Sequence, residues 1–94
     1  MGPLWFYKGV EALIDAGVRS DFSRTESRNM VIKNMLDVAQ VLDVTGAHPA
    51  LRADDMTSPG GVTIEALKVL REEGFAGALM KSVAITVEKA NTMH

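Results

Sequence analysis

Glycine and proline punctuate this chain between segments of helical period rather than inside them, and that spacing constrains the fold more than any single motif. The clearest segment opens at Ser23-Arg24-Thr25-Glu26, a capping-box pattern in which hydroxyl and carboxylate satisfy the first backbone amides of a helix. Val31, Met35, Val38 and Leu42 follow at spacings of four, three and four, which sets them on one face, and Gly46 marks the end. A preceding helix is expected from about Pro3, whose missing N–H suits a first turn, through Val10, Leu13 and Ile14 to a stop near Gly17. Its opening residues Leu4, Trp5, Phe6 and Tyr7 point in every direction, so this helix should be covered on more than one side.

After a link containing His48-Pro49 and one turn over Ala50 to Ala53, a third helix is expected beyond residue 61, burying Ile64, Leu67 and Leu70 while Glu65, Lys68 and Glu72 face water. Gly74 separates it from a fourth, the least polar, with Leu79, Met80, Val83, Val87 and Ala90. No stretch alternates with period two for long enough to propose a strand, and no internal repeat is visible. The expected fold is all-α, with about four main helices in one domain over residues 1–94.

Size then matters. A 94-residue chain removes only roughly two-thirds of its unfolded surface from water as a monomer, yet 47% of this one is hydrophobic with five aromatic residues. The core must be aliphatic, or shared. Ten Lys plus Arg against twelve Asp plus Glu leave no basic excess for phosphate, which disfavours nucleic acid and anionic membranes as partners. Absence of cysteine excludes disulfides, thiol nucleophiles and cysteine-ligated metals. Lys8 and Glu11 interrupt the apolar opening, so it does not read as a signal peptide, no spanning segment is apparent, and the expected location is cytoplasmic.

Few residues carry chemistry. The two histidines, His48 and His94, form no ligand pair on one helical face, so no metal site is expected, and His48 beside Pro49 reads as a cap or organiser of its loop. Asp54-Asp55 and Glu72-Glu73 are adjacent rather than facing, which makes no acid/base pair, and Met30, Met35 and Met80 fall in apolar helical segments as core fillers. Thr57-Ser58-Pro59-Gly60-Gly61-Val62-Thr63-Ile64 is different, because two glycines and three hydroxyls gather where a helix begins. The unpaired amides and dipole of such an end can hold a carboxylate near Gly61 and Val62, with help from Ser58; ordinary capping by Ser58 or Thr57 is the alternative. It is neither a Walker loop nor a dinucleotide fingerprint.

The combined pattern resembles pyrroline-5-carboxylate reductase, over its C-terminal part only. Gly2-Pro3 before the aromatic-rich helix, Glu11-Ala12-Leu13, Asp15-Ala16-Gly17-Val18, Thr45-Gly46 with His48-Pro49, Asp54 to Ile64 and Ala78-Leu79-Met80 carry the resemblance across nearly the whole chain. It implies an interlocked, swapped homodimer of helical domains. It also implies that a Rossmann domain binding NAD(P)H is not contained in these residues, so this chain alone binds no cofactor and is catalytically silent. By the same resemblance, Ser58 and the amides of Gly61 and Val62 receive the carboxylate of a small imino-acid substrate. Thr63 is assigned the catalytic role, hydrogen-bonding the ring nitrogen during reduction of 1-pyrroline-5-carboxylate to L-proline. Val62, Glu73 and Ala76 depart from the family's usual residues, and the branched Val62 side chain narrows the pocket if it points inward. The competing expectation is a stand-alone helical dimerisation module without catalytic role; retention of Ser58, Gly61 and Thr63 favours the reductase, as a segment of a longer chain or the product of a split gene.

Overall fold

The computed structural model describes residues 2–54, 56 and 62–92, and among these every regular element is a helix. In order they are α1 (Leu4–Arg19), α2 (Arg24–Thr45), α3 (Pro49–Asp54), α4 (Val62–Glu72) and α5 (Phe75–Thr92). The expected all-α fold is therefore observed, with the single turn after His48 extended into a short fifth helix. None of the described helices is long and apolar enough to cross a membrane. The chain divides into two compact units, one over Gly2–Leu51 and one from Arg52 onward.

The first unit is a helical hairpin. Pro3 precedes α1 and its carbonyl accepts the amides of Phe6 and Tyr7 at 3.0 and 3.1 Å, as expected for a residue that has no N–H of its own to place. α1 does not stop at Gly17. It runs to Arg19 and closes through two bonds, Asp21 N–H to the Val18 carbonyl and Phe22 N–H to the Gly17 carbonyl, both 3.1 Å, with Asp21 at φ 73. That pair is the Schellman arrangement, here with aspartate where glycine is commoner. Ser23 then caps α2, its Oγ accepting the Glu26 amide at 3.1 Å as the capping box requires. Gly46 ends α2 at φ 65, a left-handed conformation that costs a residue without Cβ nothing, and its amide bonds the Leu42 carbonyl at 3.0 Å.

The stripe expected on α2 is only partly covered. Val31 and Leu42 are half-buried and Ile32 joins them, but Met35 and Val38 are exposed. The hairpin offers α2 one neighbouring helix, α1, and one neighbour covers one seam, so the rest of the stripe has nothing within the unit to meet.

In the second unit α4 packs on α5 through a tight turn at Glu73-Gly74, where Gly74 has φ 72. Leu67 and Val83 are half-buried, whereas Ile64 and Leu70, expected inside, are exposed. Two helices can cover only one side of each other, and the remaining apolar faces have nothing within the unit to meet. Glu65, Lys68 and Glu72 do face water, with Lys68 Nζ 3.9 Å from Glu72.

Candidate functional site

Among the described residues no apolar side chain is buried; the single buried residue is Ser27, 1% exposed. In a chain nearly half hydrophobic, that inverts the usual order of interior and surface. Two apolar faces result, one on each unit.

On the hairpin, a groove runs between α1 and α2, lined by Pro3, Phe6, Tyr7, Val10 and Ile14 on one side and Arg28, Ile32 and Met35 on the other. Beyond the groove, toward the closed end of the hairpin, the two helices approach closely at Gly17. A Cβ there would overlap Ser27 Oγ and stand 2.9 Å from Ser27 Cβ, so only glycine lets α2 come this near. Ser27 Oγ donates to the Ile14 carbonyl at 2.8 Å, which pairs the one buried hydroxyl with a backbone acceptor across the hairpin. Arg24 and Asp15 add an ion pair at 3.1 Å, but both side chains are more than half exposed, so its contribution is small. Phe6 at 64% and Tyr7 at 70% exposure form the open rim. Amphipathic periodicity signalled this groove; the Gly17–Ser27 approach and the place of Arg28 on the wall were not legible, because a glycine near a helix end looks the same whether it stops a helix or seats one.

On the second unit, Leu79, Met80, Val83 and Ala84 form a shallow apolar patch along α5. Leu79 with Val83 and Met80 with Ala84 are pairs four residues apart, which stack into adjacent rows of one apolar face, and Val87 extends it one turn further. Exposed apolar helix stripes of this kind mark surfaces that soluble proteins cover with another chain.

The residues expected to hold a substrate are only partly described. Ser58 and Gly61 lie outside the described residues, as does Thr57. Val62 opens α4, and Thr63 occupies its first turn with an exposed side chain, where the helix dipole presents its positive end. Glu65 shares that turn. His48 acts as its sequence suggests: its Nδ1 accepts the Ala50 amide at 3.1 Å at the start of α3. No group of three or more metal-ligating side chains is assembled among the described residues.

Three comparisons bear on these faces. The sequence model described as pyrroline-5-carboxylate reductase dimerisation matches residues 1–93. Pyrroline-5-carboxylate reductase of Glycine max is 36% identical over 92 residues, which cover 98% of this chain and 34% of that protein. Its counterpart in Escherichia coli (strain K12) is 32% identical over 91 residues, 97% of this chain and 34% of that protein. A crystal structure of Plasmodium falciparum pyrroline carboxylate reductase with NADP bound matches with a TM-score of 0.94 at 32% identity, covering 98% of this chain and 35% of that one. The chain thus spans about a third of the length of these relatives. With its uncovered apolar helices and a family match that runs almost from end to end, this chain belongs to the pyrroline-5-carboxylate reductase dimerisation family.

Proposed function

We propose that the chain is the homodimerisation and substrate-binding domain of a reductase that converts 1-pyrroline-5-carboxylate to L-proline with NAD(P)H. The observation that carries the dimer is the lack of any buried apolar side chain among the described residues, in a chain whose family is defined by dimerisation. Two copies interlock so that the α1–α2 groove and the α5 stripe of each are covered by the other, and residues 1–94 complete one domain only in the pair. Folding and association are then a single event.

The described residues form no strand, so they do not build the strand, glycine loop and helix that hold a dinucleotide pyrophosphate. Cofactor binding is assigned outside this chain's residues. The role left to the chain is orientation. The amides of Gly61 and Val62 with the Ser58 hydroxyl hold the substrate carboxylate, and Thr63 hydrogen-bonds the ring nitrogen, aligning the imine carbon. Support comes from the family match over this stretch and from Thr63, which is exposed in the first turn of an eleven-residue helix.

Sedimentation equilibrium from micromolar concentration downward tests the dimer. The expected result is a dimeric mass, with helicity lost as dilution dissociates it. A monomer retaining full helicity would overturn the proposal, since the apolar faces would then be stable in water.

A further inference from the structure

Between α2 and the candidate substrate residues the only described helix is α3, and its start hangs on one imidazole. Pro49, the first residue of α3, has no N–H, so Ala50 carries the first amide in need of an acceptor. His48 supplies it through Nδ1 at 3.1 Å, and its own carbonyl accepts the Leu51 amide at 3.1 Å. One residue therefore holds both opening amides. A histidine nitrogen accepts a hydrogen bond only when it carries no proton, so this contact demands the neutral ring with its hydrogen on Nε2.

We propose that His48 is a pH-sensitive N-cap, which orders the start of α3 when neutral and releases it when protonated. Protonation turns Nδ1 from acceptor to donor, and two donors then face each other at the Ala50 amide. It also sets a positive charge at the positive end of the helix dipole. The cap is therefore present while the ring is neutral and lost once it is protonated. The ring is exposed. Asp43 near the end of α2 and Arg52 within α3 are the charged side chains closest along the chain, and neither hydrogen-bonds nor ion-pairs with it among the described residues. The helix packings that dominate each unit are α1 on α2 and α4 on α5. α3 has six residues and its described side chains are all exposed, so little besides the cap holds its first turn.

Nitrogen-15 NMR of the purified chain between pH 5 and 8 tests the cap directly, by the coupling through the hydrogen bond between the Ala50 amide nitrogen and His48 Nδ1, and by the ring tautomer. Above the His48 titration the coupling should be visible and the Nε2–H form dominant. Below it the coupling should vanish and the helical population over residues 50–53 fall by about fivefold, the effect of losing a typical cap. His48→Asn, whose amide oxygen accepts at every pH, should hold α3 steady across the range, and His48→Ala should give the low helical population throughout. A dominant Nδ1–H form at pH 8, or a population of α3 that is indifferent to the His48 titration in the native chain, would overturn the proposal even if the alanine variant does not fold.

Discussion

Adding one methyl group at Gly17 should break the hairpin apart locally, although glycine to alanine inside a helix ordinarily stabilises it. The new Cβ would stand 2.9 Å from Ser27 Cβ, while carbons in contact rest roughly 3.5 to 4.0 Å apart, so α1 and α2 must separate by about half an ångström or more. Before that, Ser27 Oγ must leave the space the methyl takes, and it gives up its 2.8 Å bond to the Ile14 carbonyl. The lost bond costs about 0.5 to 1.5 kcal/mol and the overpacking about 1 to 3 kcal/mol. Relief of glycine's helix penalty returns about 0.5 to 1 kcal/mol. The net expectation is a loss of about 2 kcal/mol, a large share of a small domain's stability. Urea denaturation followed by far-UV circular dichroism measures it, with protein concentration held constant because dissociation is coupled to unfolding. Gly9, in the same helix, has nothing within 4 Å of an added Cβ, so Gly9→Ala reports the propensity gain alone. Ser27→Gly removes both obstructing atoms, and the cycle of Gly17→Ala with Ser27→Gly should show coupling of about 1 kcal/mol or more. If Gly17→Ala stabilises the chain as Gly9→Ala does, or the cycle is additive, the close approach is not what holds these helices together.

Ser23→Ala removes the acceptor for the Glu26 amide and should lower the stability of the same hairpin by about 1 kcal/mol in urea titrations, without altering dimer mass at micromolar concentration. Val83→Asp places a carboxylate in the α5 stripe, where the dimer would have to bury it; sedimentation should show dissociation together with lost helicity, and an intact dimer would mean that this stripe is not the interface. In a reductase reconstituted with a cofactor domain, Ser58→Ala should chiefly raise KM, and Thr63→Ala should lower kcat as well, by about twofold to thirteenfold for one orienting hydrogen bond of about 0.5 to 1.5 kcal/mol. Unchanged kinetics in both variants would leave that segment with a capping role only.

Local structure was legible in the residues themselves, because its causes are local. The Ser23 cap, the glycine terminator at Gly46, the break at Gly74 and the ordering role of His48 each follow from what a side chain within a few residues offers the backbone, and each is present in the fold. Helical period likewise set which residues share a face. What it could not say is which faces are covered, since coverage depends on how many helices pack together and on partners. Val38, Ile64 and Leu70 belong to well-formed stripes and are nonetheless exposed, because each unit offers two main helices and two helices bury one seam. Gly17 shows the same limit at a single residue. Its sequence context signals the end of a helix, but it is the proximity of Ser27, ten residues away in sequence, that makes glycine necessary there. Spacing along the chain thus decided the helices and their stripes, while the approach of one helix to another decided where the hairpin closes and how much apolar surface is left for a second chain to cover.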